Sequence, residues 1–152
     1  GRFDPARARA LNAPVPQWKL LQRGQTVTLE SGEAIAPADV LGPARRGLRF
    51  VFSGDTSPCP ALEQAAQDAD LFLCDATYPD NEQEAQAKQW GHSTFAQGAA
   101  IAKKANVRRF WLVHYSPMIT DPEAALPNAR AVFPAAECGF DGKQITLQYD
   151  EE

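Results

Sequence analysis

Three short apolar segments of the sequence each end in polar side chains that could bind a cation or move a proton. The polar clusters are Ser-Gly-Asp-Thr at 53–56, Cys-Asp-Ala-Thr at 74–77 and His-Tyr-Ser-Pro at 114–117. Short apolar runs bounded by turn residues are typical of buried strands. Ligands of α/β sheets bind outside the carboxyl ends of the strands. We therefore expect Asp55, Asp75 and His114 to meet at one edge of a sheet.

Each candidate also has a plain structural interpretation. A carboxylate can bind a cation, but Asp55 could equally cap the helix that follows its turn. A neutral imidazole is a good zinc ligand, yet His114 could be a hydrogen-bonded core histidine. His92 lies in Gly-His-Ser-Thr, in a loop of the kind that carries catalytic groups, or it simply precedes a helix cap. Taken singly, none of the three residues decides the question.

Cysteine content and net charge narrow the class of protein. The three cysteines are an odd set without a Cys-x-x-Cys pair, which indicates reduced thiols in a cytoplasmic protein. Cys74 is a possible nucleophile, but its place in an apolar strand favours an inert core thiol. The formal net charge of -4 argues against a generally basic surface that coats nucleic acid. No window is apolar and long enough to span a membrane, so no membrane partner is expected.

The order of predicted elements indicates an α/β fold. A β-hairpin is predicted over 24–36, and Pro14 and Pro16 predict an extended loop over 12–18. Helices are predicted at 4–11, 58–69, 80–89, 93–105 and 122–132. Strands are predicted at 48–52, 71–74, 110–113 and 143–149. A chain of 152 residues has the usual size of one domain.

Taken together, these segments resemble the C-terminal half of ribonuclease Z, a family of tRNA 3′-processing endonucleases in the metallo-β-lactamase superfamily. The resemblance covers nearly the whole chain, and it is carried by GRFDPARARAL, LQRGQTVTLESGEAIAPADVLGP, FSGDTSPC, DLFLCDATY, GHST and VHYSP. It implies an α/β fold that is the C-terminal half of an αββα sandwich, with one mixed β-sheet and flanking helices. Residues 1–152 would then form a single domain.

The resemblance also implies roles for individual residues. Asp55 matches an aspartate that bridges two zinc ions, and His114 matches a histidine ligand of one of them. His92 matches the histidine of a His-Ser-Thr motif that assists proton transfer or steadies the scissile phosphate, and Asp75 matches its carboxylate partner. Residues 19–24 match a loop near the bound tRNA end. Asp55 and His114 are therefore the candidate metal ligands, and His92 and Asp75 the candidate catalytic residues.

The chain departs from the family pattern in two ways. The family's His-Glu-Ala-Thr reads Cys-Asp-Ala-Thr here, so Asp75 is one methylene shorter than the glutamate it replaces. The family's His-x-His-x-Asp-His motif is absent, and the two histidines of the chain cannot supply the five of the complete zinc site. We therefore expect the chain to carry only part of that site and to be inactive, or nearly so, by itself.

The resemblance implies the C-terminal part of a zinc-dependent phosphodiesterase that cleaves the 3′ trailer of precursor tRNA. One alternative is a non-catalytic dimerisation or regulatory module with a degraded site. Another is a different hydrolase of the metallo-β-lactamase type. In the sandwich, one face of each sheet packs against the other half, and exposed apolar patches normally mark interfaces. The chain is therefore expected to form a homo-oligomer or to pair with a separate N-terminal half.

Overall fold

The computed structural model describes residues 1–149. The chain divides into two compact units, Gly1–Gly47 and Leu48–Glu152. The expectation that residues 1–152 form one domain stays a prediction.

Three short helices and a small hairpin make up the first unit. The helices are α1 (Pro5–Ala10), α2 (Trp18–Gln22) and α3 (Pro37–Val40), and strand β1 (Val27–Thr28) pairs antiparallel with β2 (Ala34–Ile35). Asp4 caps α1 by accepting hydrogen bonds from the backbone N–H groups of Ala6 and Arg7. The core of the unit is formed by six buried apolar residues: Ala8, Ala13, Leu21, Val27, Ile35 and Val40. The predicted helix at 4–11 and the hairpin over 24–36 are both confirmed.

The extended loop predicted over 12–18 is only partly present. A 3₁₀ turn occupies Val15–Gln17, and α2 follows directly at Trp18. Pro16 lies in the first turn, where a missing N–H is tolerated and a fixed φ favours helical geometry. The two prolines therefore start a helical segment instead of preventing one.

A four-stranded sheet organises the second unit. Its strands are β3 (Phe50–Phe52), β4 (Leu71–Asp75), β5 (Phe110–Val113) and β6 (Ala136–Cys138), hydrogen-bonded in that order, and all three pairings are parallel. The connections contain α4 (Pro60–Ala66), a 3₁₀ turn (Asn81–Gln83), α5 (Glu84–Trp90), α6 (Phe95–Lys104) and α7 (Pro122–Arg130). Alternation of strand and helix gives the α/β architecture expected from the sequence.

Two details of the sheet differ from expectation. A mixed sheet was expected, whereas the four-stranded sheet is parallel throughout and the antiparallel pair belongs to the first unit. The predicted last strand over 143–149 is wrong, because no strand is present there and Ala136–Cys138 takes the place beside β5. Strand-favouring side chains at 143–149 do not by themselves supply a hydrogen-bonding partner.

One face of this sheet packs against helices and forms the core of the unit. Phe72 and Cys74 of β4 alternate with the residues of the opposite face, and they lie beside Phe110 of β5. Helix α6 crosses β4 and β5, while α7 packs on β6. Gly98 permits the close approach of α6, because a Cβ at this position would lie 3.3 Å from the Phe110 ring and 3.4 Å from the Cys74 sulfur.

The opposite face of the sheet is partly exposed. Phe50 and Phe52 on the edge strand β3 are 58% and 60% exposed, whereas Leu71 and Trp111 are buried. Alternation along β4 places Asp75 on this second face as well. Within residues 1–149, none of the helices combines the length and apolar character needed to cross a membrane.

Candidate metal centre

The four candidate residues lie together at the carboxyl edge of the parallel sheet. Asp75 ends β4, His114 directly follows β5, and Asp55 lies in the loop after β3. His92 comes from the loop between α5 and α6 and contacts Asp75. Parallel strands present their carboxyl ends at one edge, so these loops converge without any long excursion of the chain.

Asp75 is the buried centre of the cluster. Its Oδ1 accepts hydrogen bonds from the backbone N–H and the hydroxyl of Thr77, at 2.9 and 2.8 Å. Its Oδ2 accepts from the backbone N–H of Thr56 at 3.0 Å and from Nδ1 of His92 at 2.7 Å. The carboxylate is fully buried, and these donors replace the water that burial removes. The aspartate thus reaches His92 despite being one methylene shorter than glutamate.

Local structure on both sides fixes the position of His92. Gly91 adopts a left-handed conformation with φ 77° at the end of α5, and the N–H of His92 donates to the carbonyl of Ala87 at 2.8 Å. On the other side, Thr94 caps α6, and the buried Ser93 hydroxyl donates to the carbonyl of Thr56 at 2.7 Å. Because Asp75 accepts a hydrogen bond from Nδ1, we assign the proton of the neutral ring to that atom. Nε2 then has no assigned partner among the described residues and can exchange a proton with a ligand.

His114 is held by its backbone and by Thr77. Its φ of 61° lies in the left-handed region, which is strained for a residue other than glycine and recurs at functional sites. The Thr77 hydroxyl lies 2.9 Å from Nδ1 of His114. The same hydroxyl has the carboxylate of Asp75 as its strongest acceptor. We therefore assign a proton to Nδ1, so that Nε2 presents its lone pair outward.

Asp55 meets that outward nitrogen. Its Oδ2 lies 3.2 Å from Nε2 of His114, and its side chain is 61% exposed. The preceding Gly54 has a φ of 62°, and no atom lies within 4 Å of the position of a Cβ. The glycine is therefore needed for its backbone conformation and not for lack of space.

The donor chemistry of the cluster suits zinc, which binds imidazole nitrogen and carboxylate oxygen. Two ligands on one tetrahedral zinc are separated by about 3.3 Å, close to the 3.2 Å between Nε2 of His114 and Oδ2 of Asp55. Asp75, His92 and His114 also offer ligand atoms within 4.8 Å of one another. However, both oxygens of Asp75 already accept hydrogen bonds. Asp55 and His114 are therefore the better-placed pair of ligands.

The rings of the two histidines stack at the site. Their centroids are 5.1 Å apart with an interplanar angle of 22°, and the ring of Tyr78 lies 6.4 Å from that of His92. The resulting row of rings leads from the exposed carboxylate of Asp55 to Tyr78. The candidate proton-transfer group and the candidate metal ligand are thus immediate neighbours.

The alternative nucleophile, Cys74, lies on the helix-covered face. Burial disfavours the charged thiolate and raises the pKa of Cys74 to about 12. The thiol is therefore neutral near pH 7, as expected for an inert core cysteine.

Sequence reasoning missed the hydroxyl residues that organise the site. Thr77 links Asp75 to His114, Ser93 anchors the His92 loop, and the Ser53 hydroxyl accepts from the N–H of Asp75 at 2.9 Å. A serine or threonine within two residues of each candidate was the available signal. Its meaning depended on which hydroxyl faced which neighbour, and only the fold decides that.

Comparison with known proteins identifies the family of the chain. The Beta-lactamase superfamily domain matches residues 9–115. A ribonuclease Z of Lachnospira eligens is 38% identical over 152 residues, covering 100% of this chain and 50% of that protein. A ribonuclease Z of Myxococcus xanthus is 46% identical, covering 97% of this chain and 48% of that protein. The chain therefore spans about half the length of the curated relatives it matches.

Solved structures support the same fold. A metallo-beta-lactamase fold protein from Bacillus subtilis, YhfI, superposes with a TM-score of 0.52 at 20% identity, over 58% of this chain and 35% of that one. The short form of human tRNase Z superposes with a TM-score of 0.50 at 24% identity, over 65% of this chain and 34% of that one. Both the resemblance and the fold class predicted from the sequence are confirmed. The chain belongs to the beta-lactamase superfamily, and its similarity to curated ribonucleases Z over half of their length is consistent with a C-terminal half.

Proposed function

We propose that this chain is the C-terminal part of a zinc-dependent phosphodiesterase that removes the 3′ trailer of precursor tRNA. The observation that carries the proposal is the convergence of Asp55, Asp75, His92 and His114 at one edge of the sheet. The similarity to proteins named ribonuclease Z suggests that the substrate is an RNA of the class this family processes, a precursor tRNA. Residues 1–152 would then correspond to one half of a metallo-β-lactamase fold.

In this proposal, Asp55 and His114 hold metal ions. Zinc, when bound, would supply Lewis acidity at phosphorus and a nucleophile at neutral pH. Thr77 keeps Nε2 of His114 free to act as a ligand, because its hydroxyl oxygen accepts the hydrogen bond of Nδ1–H. Asp55 reaches the same point in space with one carboxylate oxygen.

His92 handles the proton of the leaving group. As the P–O bond breaks, Nε2 of a protonated His92 donates its proton to the departing oxygen. Asp75 keeps Nδ1–H in place and stabilises the charged ring, because it is a buried carboxylate within 2.7 Å of that nitrogen. Asp75 is thus a positioning residue, and His92 is the group that touches the reacting atoms.

The distribution of charge supports an RNA substrate. Residues 1–47 contain seven lysines and arginines against four acidic residues, whereas residues 48–152 contain eight against fifteen. A basic segment attached to an acidic one suggests contact with nucleic acid. The first unit would therefore meet the phosphate backbone of the substrate.

In this proposal, residues outside this chain complete the site. Two histidines and one suitably placed carboxylate leave the metal coordination unfilled. Phe50 and Phe52 offer an exposed apolar surface for a partner. We propose that an N-terminal half, or a second copy of the chain, covers this surface in the cytoplasm, where the three free cysteines stay reduced.

A chimera tests the proposal. The ribonuclease Z of Myxococcus xanthus is 46% identical to this chain over about half of its own length. The N-terminal half of that protein would be joined to Gly1 of this chain. The zinc-loaded chimera is expected to cleave a precursor tRNA at its 3′ trailer, and the isolated chain to cleave little or none.

Three variants of the chimera assign the roles. Asp55→Asn should lower zinc content and activity together, whereas His92→Ala should lower activity and keep zinc. Asp141→Asn makes the same chemical change as the first variant at an exposed carboxylate in another loop, and it should change neither. A folded, zinc-loaded chimera that leaves precursor tRNA intact would refute the proposed activity.

A further inference from the structure

An exposed tryptophan ends the helix before the His92 loop. Trp90 is the last residue of α5, it is 64% exposed, and only Gly91 separates it from His92. Ala87 is the buried residue of that helix, and the core of the second unit contains no residue of α5. The indole is therefore not needed for packing among the described residues. Exposed aromatic side chains are the surfaces on which single-stranded nucleic-acid-binding proteins stack bases.

The surroundings of Trp90 suit a flat, aromatic ligand attached to a phosphate. His92 is flanked by the rings of Tyr78 and His114, at 6.4 and 5.1 Å. Lys88 is exposed in the last turn of the same helix. Sites for single-stranded nucleic acid combine aromatic rings, on which bases stack, with cations that follow the backbone.

Hydrogen bonds fix the backbone that joins Trp90 to the site. The loop after Trp90 is fixed by the Ala87 carbonyl on one side and by Ser93 on the other. A stacking surface on a fixed element costs little conformational entropy when the ligand binds. The position of Trp90 is thus coupled to that of His92 through a short, hydrogen-bonded turn.

We propose that Trp90 is a substrate-binding residue that stacks on a nucleobase flanking the scissile phosphate. This inference rests on the proposed function, because it places an RNA strand against His92. Stacking accepts any base, so Trp90 would hold the strand in register without reading its sequence. The indole would orient the phosphate and take no part in the proton transfer.

Titration of the full chain with a short oligoadenylate tests the proposal. Binding is measured by the fluorescence anisotropy of a dye-labelled oligoadenylate, and in the parent chain it is also expected to quench the fluorescence of Trp90. Trp90→Ala should weaken binding by about 5-fold to 150-fold, the range measured for one stacked base. Trp90→Phe should retain most of the affinity because it keeps an aromatic face. Trp90→Leu, which is apolar but not aromatic, should bind as weakly as Trp90→Ala.

Two controls are needed. One separates base stacking from charge contacts with the backbone, and the other separates the fluorescence of Trp90 from that of another tryptophan. An abasic oligonucleotide of the same length should bind the parent chain and Trp90→Ala equally, because the backbone is unchanged. Trp18→Phe alters a tryptophan of the first unit whose indole N–H donates to the carbonyl of Ala13. It should leave the affinity and the absolute loss of fluorescence on binding as in the parent chain.

The remaining outcomes distinguish this proposal from the function on which it rests. Equal oligoadenylate binding by the parent chain and Trp90→Ala would overturn stacking, and so would full binding by Trp90→Leu. If oligoadenylate fails to bind while the chimera cleaves precursor tRNA, stacking is wrong and the proposed function stands. If neither binding nor cleavage occurs, both are wrong.

Discussion

The two faces of the parallel sheet differ in what covers them. On one face, Phe72 and Phe110 are fully buried and their rings stack with centroids 5.7 Å apart. On the other face, Phe50 and Phe52 leave more than half of their surface in water. Parallel sheets are normally covered on both faces. The first face therefore stabilises the unit, whereas the second is suited to association.

The candidate site belongs to the second face. Asp75 follows Leu71 and Leu73 at alternate positions of β4, and it turns away from the helix-covered core. Lys143 also lies on this side, with its ammonium 4.6 Å from the centre of the Trp111 ring. The residues that could do chemistry thus lie on the same face as the exposed phenylalanines. If a partner covers this face, as we propose, completion of the site and burial of the apolar edge would occur together.

Truncation of Phe72 should give the largest effect on stability. Phe72→Ala removes a fully buried ring from the helix-covered face, and we expect the free energy of unfolding to fall by about 3–5 kcal/mol. Urea denaturation monitored by circular dichroism measures this change. The matched variant Phe52→Ala, on the exposed edge, should change it by no more than about 0.5 kcal/mol. Equal losses in the two variants would show that the faces do not differ as described.

Loss of the Thr77 hydroxyl should weaken metal binding. Thr77→Val keeps the shape of the side chain but removes the group between Asp75 and His114, and we expect zinc affinity of the chimera to fall about 10-fold to 100-fold. Competition with a zinc-sensitive dye measures the affinity. Thr77→Ser should restore most of it, and Thr28→Val, at an exposed position of β1, should have no effect. Unchanged affinity in Thr77→Val would contradict the proposed support of His114.

Replacement of Phe52 by serine should weaken the pairing of this chain with an N-terminal half. Burying one phenyl ring contributes about 1.5–3 kcal/mol, so Phe52→Ser should weaken pairing with an N-terminal half roughly 10-fold to 150-fold. Sedimentation equilibrium of the mixed halves gives the dissociation constant. Leu20→Ser, at a partly exposed apolar residue of the first unit, serves as the comparison. If Phe52→Ser pairs as tightly as the parent chain, the edge strand is not part of the interface.

Cysteine labelling should show whether the helix-covered face is closed, without any mutation. Cys74 lies in the covered core, and its pKa of about 12 keeps the thiol protonated at pH 8. Burial also raises the pKa of Cys138. Iodoacetamide at pH 8 should therefore modify Cys59, which is only half-buried, while the other two react after unfolding in urea. Mass spectrometry locates the label, and modification of native Cys74 as fast as Cys59 would argue against a closed core.

Local patterns predicted most of the elements. The cap at Asp4, the turn at 31–32 between β1 and β2, and Thr94 at the start of α6 are features that a few neighbouring residues encode. The last strand was predicted incorrectly because pairing with β5 is a non-local choice. Ala136–Cys138 has weaker strand propensity than residues 143–149, yet it occupies the edge of the sheet.

The sequence by itself determined the type of fold, the family and the four residues whose side chains could bind a metal or move a proton, because each depends on short motifs and on their order. Only the tertiary structure decided how Asp55, Asp75, His92 and His114 meet. Thr77 joins a carboxylate two residues away to an imidazole 37 residues away, and that contact exists only because β4 and β5 pair in parallel register. It likewise decided which apolar residues are covered, since alternation along a strand defines two faces and helices pack on one of them.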